Sequence, residues 1–587
     1  MICSYIKKCN NSIFLAVTLL VVTNISTAQY SLFDTSYLHE IKISSTDPNF
    51  WQQLEDDYAN FLDNGVEIPY LMATVEIDGT SLDDVGVRQK GFSSNFFTNS
   101  TKKPLKLNFG KFVEDREFDN VRKLNLMNGV GDAAIAKDKL VYDIFRMHGV
   151  PGPRVAHAKL YINDEFWGIY GMIEQIDKRY LKRNFSDNDG NLWKNKGNSN
   201  LEDLGSDPAS YSFELQTNET ENDWSKFLGF ISFINNSSDA DFATQLNDIF
   251  VLDEYFRILA IDILTNNWDS YLDHGRNWYM YHEPKKNKIH WIPWDYNFAF
   301  DRKQNGQNDL DLIQNLPSKV LTRRIFETPA YREKILDYMC EILEVNFTSQ
   351  RLDPKLDTQL SLVINDWGAS NDFFDQTNLD NFINADTWDG SFNGPGTQGM
   401  KKFIMDRSII IQNELISENH TCTNLAPSIN LKDVVINEFM ARNDTDSPWS
   451  DQDGDFDDWI ELYNNTNTDV PLSNYFLSDT ASFMHKWELP IDAIIPANGY
   501  LIIWADKDPH QVGLHSKFSL SKNGGNIYLS YIDGTLIDSA SYGSQEKEES
   551  MSRSPNGTGN FFNINVTFNA ENGELPDLIY SSGFEEL

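Results

Sequence analysis

The chain has 587 residues, with 49 basic and 87 acidic side chains, a net charge of −38 and a pI near 4.5. Such a surface repels nucleic-acid phosphates, so nucleic-acid partners are excluded. A hydrophobic content of 40%, with 14 Trp, 24 Tyr and 38 Phe, excludes intrinsic disorder.

The N-terminus reads as a secretory leader over residues 1–28. Lys7 and Lys8 supply its positive region, and Ile13 to Thr23 its apolar core, too short to cross a bilayer comfortably. Ser26-Thr27-Ala28 is a cleavage site that starts the mature chain at Gln29; an uncleaved anchor is the alternative. No later segment is apolar enough to span a membrane, so the expected location is secreted, periplasmic or cell-surface. Cys3 and Cys9 leave with the leader. Cys340 and Cys422 remain, either as one bridge or as two buried thiols.

Leu38 to Ile43 alternates as a strand, and Trp51, Leu54, Tyr58 and Phe61 share one face of a helix over 51–61. Strands are predicted at Tyr70–Ile77 and Asp84–Gln89, joined through Asp78-Gly79. Arg88-Gln89-Lys90-Gly91-Phe92-Ser93-Ser94 follows. Its glycine and hydroxyls let backbone amides approach a phosphate, or simply make a turn. In the strand Lys102–Phe109, Leu105, Leu107 and Phe109 take one face and Lys106 and Asn108 the other. A helix is predicted from Asp132 to about His148, stopped by Gly149. Arg154–Ile162 and Phe166–Glu174 form a hairpin across Asn163-Asp164. A short strand at Asn191–Lys194 follows. Residues 196–225 read as a polar, exposed insertion, and three helices as 224–235, 240–249 and 252–264.

Asn266 to Asp301 is the most informative stretch: NNWDSYLDHGRNWYMYHEPKKNKIHWIPWDYNFAFD. Asn277–Tyr281 and Ile289–Trp294 are strands around the polar turn Glu283–Lys288. A hairpin brings its outer ends together, so Asp269, Asn277 and Asp295 are expected to converge. Two carboxylates and a carboxamide suit a hard cation such as Mg²⁺ or Mn²⁺, as phosphoryl transfer requires; the same residues also serve as ordinary strand-end caps. Beyond it, Arg323–Leu343 and much of 350–418 read as helical.

Near Leu425 the texture changes to short strands about ten residues apart, which predicts an all-β sandwich. Within it, Asp451-Gln452-Asp453-Gly454-Asp455-Phe456-Asp457-Asp458 has the carboxylate spacing that starts a calcium loop. The twelfth position is Leu462 rather than Glu, with Glu461 one residue early, so a solvated acidic loop is the alternative to a Ca²⁺ site.

NWDSYLDHGRNWYMY followed by IPWDYNFAF resembles the core motif of the CotH kinase family, the spore-coat-protein-H-like atypical kinases. Asn297 stands where that family's second W-D-x-D aspartate usually lies, keeping an oxygen ligand but losing a charge. The segments at Arg88–Ser94, Lys102–Phe109 and Glu174–Leu181 resemble further parts of the pattern. The resemblance implies an α+β, two-lobed kinase-like domain over 29–424. It implies Asp269 as the catalytic aspartate and Asn277 and Asp295 as metal ligands. ATP would be contacted by Arg88, Ser93, Glu174 and either Lys103 or Lys106. Glu174 can alternatively tie the lobes together. Asp138 is the substitute for the family's αC-helix glutamate. The implied reaction transfers the γ-phosphoryl group of ATP to Ser or Thr of an exported or surface protein. A catalytically inactive surface or adhesion protein and a cation-dependent hydrolase are the rivals. V-I-N-E-F-M-A-x-N, D-W-I-E-L-Y-N and D-G-T-L-I-D resemble the lamin-tail domain, an immunoglobulin-like sandwich, over 428–570, leaving a tail at 571–587.

Overall fold

The computed structural model describes residues 32–91, 102–132, 134–300, 319–367, 376–386, 398–422, 433–444, 447–472, 475–490, 493–508, 511, 513–531, 534–547 and 549–573. The leader, Ser93 and the end of the tail lie outside the described residues.

The first unit comprises β1 (His39–Ser44), α1 (Phe50–Asn64), β2 (Leu71–Ile77), β3 (Thr80–Gln89), β4 (Leu105–Asn108), β5 (Lys123–Met127), α2 (Lys137–Met147), β6 (Val155–Ile162) and β7 (Glu165–Glu174). Its seven strands close a barrel in the order β1-β2-β3-β4-β5-β7-β6. Period-two alternation sends Val85, Val87, Leu105, Leu107, Leu124 and Leu126 into one apolar core. Lys106 therefore takes the opposite face of β4, paired in register with Arg88 on β3.

Asp132 was expected to lie at the helix start, yet α2 begins five residues later. The Asp132 carboxylate reaches forward to accept from the amides of Ala136 and Lys137, both at 2.8 Å. It thereby satisfies donors that a helix start leaves open.

The chain continues through α3 (Lys178–Asn184), β8 (Leu192–Asn195), β9 (Phe213–Leu215), α4 (Ser225–Asn236), α5 (Asp239–Ile249), α6 (Leu252–Leu264), β10 (Trp278–Glu283) and β11 (Lys288–Pro293). The insertion expected at 196–225 is mostly exposed, but it contains a strand. β9 extends a four-stranded sheet in the order β11-β10-β8-β9, and Leu201, Tyr211 and Leu215 are buried. Those scattered apolar residues were masked by their polar neighbours.

Next come α7 (Val320–Glu327), α8 (Pro329–Val345), α9 (Ser349–Val363), α10 (Gln376–Asn384) and α11 (Met400–Ser417). The single helix expected over 323–343 is two, α7 and α8. Pro329 has no amide hydrogen to continue α7 and suits the first turn of α8. A disulfide joins Cys340 on α8 to Cys422 beyond α11.

The last unit holds β12 (Val434–Met440), β13 (Trp459–Asn464), β14 (Val470–Pro471), β15 (Tyr475–Ser478), β16 (Trp487–Glu488), β17 (Ile494–Ile495), β18 (Tyr500–Trp504), β19 (Gly525–Tyr531), β20 (Leu536–Tyr542), β21 (Ser550–Ser554) and β22 (Asn560–Ile564). Its five-stranded and four-stranded sheets share one core that includes Ile436, Ile460, Leu477 and Leu529. This β-rich unit touches the hairpin β10–β11 and its support. Arg257 on α6 meets Glu488 at 3.1 Å, and Lys285 in the hairpin turn meets Asp508 at 2.6 Å. No helix among the described residues is long and apolar enough to cross a membrane.

Candidate functional site

The hairpin is fixed by its apolar residues. β10 and β11 pair from Trp278↔Pro293 to Glu283↔Lys288, and the rings of Trp278 and Trp291 stack 4.0 Å apart. The polar residues sit just past the strand ends, where the backbone reverses. Asn277 (φ +66°) and Asp295 (φ +64°) both occupy the left-handed region. Asn and Asp enter it more readily than other side chains that carry a Cβ. Strained backbone of this kind clusters at functional sites.

The structure brings Asp269, Asn277 and Asp295 to one place. Asn277 Nδ2 donates to Asp269 Oδ2 and to its carbonyl, both at 2.9 Å, and His274 Nδ1 lies 3.0 Å from Asp269 Oδ1. Burial holds the Asp295 carboxyl above its usual range against the attraction of Lys90, and repulsion from Asp269 adds to the rise. Helix α2 supports the Asp295 segment. The amide of Asp295 donates to Tyr142 Oη and that of Tyr296 to Asp138 Oδ1, both at 2.8 Å. Burial, then Asp295 and Asp132, push the Asp138 carboxyl well up. Asn297 gives Nδ2 to the Val130 carbonyl (2.9 Å) and leaves Oδ1 buried with no donor among the described residues. With Asp132, Asp138 and the Gly129 loop it lines a small cavity.

A group of cations faces these acids. Lys106 is driven well below the usual lysine range by burial, then by Lys90, Lys194 and Arg88. Burial lowers Lys90 to about 8, opposed by Asp295 and Asp138. Burial likewise lowers Lys194, opposed by Glu214 and then Asp295. Like charges are thus crowded on both sides of the cleft, an arrangement that an anion and a divalent cation together would relieve.

Of the two lysine alternatives, Lys106 lies in this group, whereas Lys103 has Glu55 on α1 as its charged neighbour. Arg88 gives Nη1 to the Ile68 carbonyl (2.9 Å) and stacks over Tyr70. Glu174 is held elsewhere. Arg154 Nη2 (3.0 Å) and Arg183 Nε (3.1 Å) donate to Oε1, and Arg183 Nη2 (2.5 Å) donates to Oε2. This geometry ties β7 to α3 and leaves the carboxylate turned to its arginines rather than to a nucleotide.

Sequence reasoning missed Lys90 and Lys194. Lys90 was legible, because two residues beyond Arg88 it shares that strand face. Lys194 follows from pairing alone, since it lies opposite Tyr279 across β8 and β10. Among the described residues, the one set of three His or acidic ligand atoms mutually within 4.8 Å lies away from the cleft, at Glu333, Asp337 and His420.

Comparison with known proteins places this geometry. The sequence model of the CotH kinase protein family matches residues 87–409, and that of the Lamin Tail Domain matches 427–544. Inner spore coat protein H of Bacillus subtilis is 25% identical over 256 residues, covering 42% of this chain and 68% of the relative. Spore coat protein homolog 1 of Rhizopus delemar is 20% identical over 336 residues, covering 52% of this chain and 53% of the relative. Invasin CotH7 of Rhizopus delemar is 20% identical over 256 residues, covering 41% and 42%. With more than half of its length inside the family match, and with Asp269, Asn277 and Asp295 brought to one place, the chain belongs to the CotH kinase protein family and carries a lamin tail domain behind it.

Proposed function

We propose that this protein is a metal-dependent phosphotransferase that moves the γ-phosphoryl group of ATP to a Ser or Thr hydroxyl of an exported or surface protein. The observation that carries this reading is the facing of Lys90 and Lys194 against Asp295, and of Lys90 against Asp138, with Lys106 crowded behind the two lysines. The oxygen donors fit a hard cation, and the buried, donorless Oδ1 of Asn297 favours one. Asp295, Asn277 and Asn297 would hold it. When bound, such an ion neutralises charge developing on the transferring group. Lys90, Lys106 and Lys194 would bind the phosphate oxygens. Asp269, steadied by Asn277 and His274, orients the attacking hydroxyl and takes its proton on a carboxylate oxygen. The hydroxyl oxygen bonds to the γ-phosphorus as the bond to the bridging oxygen breaks, and ADP leaves. The leader motif supports action outside the cytoplasm.

Thermal unfolding with ATP and Mg²⁺ or Mn²⁺ tests the reading. A ligand that binds only the native state raises its stability, so a metal-dependent rise is expected. Lys106→Met should unfold later than wild type without ligand, because a half-buried cation crowded by Lys90, Lys194 and Arg88 is gone. Its ATP affinity should fall about tenfold or more, the scale of one charge-assisted contact. No shift at millimolar ATP with either metal would favour a kinase-family binding protein without catalysis.

A further inference from the structure

The acidic loop of the lamin tail domain is built around a carboxylate that its own loop does not satisfy. Asp451 is 8% exposed. Its Oδ1 accepts the amides of Asp453 (2.9 Å) and Asp455 (2.8 Å). Its Oδ2 is shut from solvent with no donor among the described residues. The neighbours of this carboxylate are acidic, for Asp457 is acted on by Asp451, Asp455 and Asp506.

Strand pairing accounts for the fourth acid. β13 and β18 are antiparallel with Trp459 opposite Trp504, and the amide of Ala505 donates to the Asp458 carbonyl at 2.7 Å. The same register carried outward sets Asp457 opposite Asp506. Like charges directly opposite destabilise a strand pair, so this juxtaposition needs a counter-charge. His515 Nδ1 lies 2.6 Å from Asp506 Oδ2 and the Asp508 amide donates to its Oδ1 at 2.8 Å, each oxygen keeping a second lone pair, and Gln511 Nε2 donates to Asp455 Oδ2 at 3.3 Å. Glu461, the nearest residue to a twelfth-position ligand, is turned away. Asn437 Nδ2 and the Asn569 amide take its two oxygens at 2.8 and 2.6 Å.

We propose that the lamin tail domain binds one Ca²⁺ through Asp451, Asp455 and Asp457 of the loop and Asp506 of the facing strand end, with Asp506 supplying the carboxylate that the loop motif lacks. Calcium takes six to eight oxygens in flexible geometry, so waters and backbone carbonyls complete the shell. No three of these carboxylates bring oxygens within 4.8 Å of one another. Binding therefore draws the loop and the strand end together. This proposal is independent of the phosphotransferase reading.

The test uses the full mature chain after chelator treatment. Tb³⁺ is added and its luminescence excited through tryptophan, since Trp459 and Trp504 flank the site; Ca²⁺ titration then displaces it. Millimolar Ca²⁺ is expected to raise the unfolding temperature by several degrees and to quench the Tb³⁺ signal, with Mg²⁺ at equal concentration doing less. Asp506→Asn and Asp457→Asn should abolish both effects. The exposed Asp455→Asn, least able to disturb folding, should weaken Ca²⁺ binding at least tenfold. No Tb³⁺ signal, equal responses to Mg²⁺, or unchanged binding in Asp455→Asn and Asp506→Asn would overturn the proposal.

Discussion

Asp295→Asn is expected to cut phosphoryl transfer about 10³-fold or more, the scale of removing one preorganised charge from a transition state. The substitution keeps the side chain's shape, and the amide of residue 295 still reaches Tyr142 Oη. It removes a half-buried carboxylate whose cost of desolvation, with repulsion from Asp269, outweighs its attraction to Lys90. The unfolding temperature of the unliganded chain should therefore hold or rise while turnover falls. Single-turnover transfer to a generic Ser/Thr substrate, measured beside a melting curve, separates the two. Near-wild-type turnover would sink the assignment of Asp295; a lost melting transition would mean that the residue is structural.

Glu174→Gln should show the reverse: a large loss of stability with little loss of nucleotide affinity. Glu174 is buried between Arg154 and Arg183, which hold its carboxyl down at about 2 against the cost of burial. Removing its charge leaves two arginines facing each other, at a cost of about 3 kcal/mol. The pH dependence follows from the same shift. The folded pKa lies below the unfolded one, so the contribution is complete above the unfolded carboxylate range, near 4.3. It is lost as pH falls toward 2. Wild type should therefore lose its advantage over Glu174→Gln between about pH 4.5 and 2, measured by denaturant unfolding. An ATP affinity that falls while stability holds would return Glu174 to the nucleotide.

The hairpin and its three polar ends were legible because tryptophans and tyrosines alternate over a short span and a two-strand turn dictates which ends meet. Lys106 was legible as a face, since Leu105 and Leu107 had to be buried. Its choice over Lys103 was not, because that depends on which strand lies beside β4 and where α1 carries Glu55. Asp138 resembled a helix residue with a weak claim. Its role emerges only when α2 packs under the Asp295 segment. Glu174 illustrates the opposite limit. One motif position can face a ligand or a pair of arginines, and local sequence is the same for both. The β9 strand escaped notice because three residues are too few to show a period.

The contacts of the β-rich unit with the hairpin change how the protein should be cut. Asp508 grips the turn of β10–β11 at Lys285, and Glu488 grips α6 at Arg257, while the site lies at the hairpin's other end. The hairpin behaves as a beam clamped at both ends. A fragment that stops before β12 loses the Asp508 and Glu488 clamps and leaves the turn end held by Lys226, which donates to Asn287 Oδ1 at 2.7 Å, and by the Ser186 amide, which donates to Glu283 at 2.9 Å. Kinetic constants from such a fragment would describe a looser machine, so the intact two-unit chain is the proper object of assay.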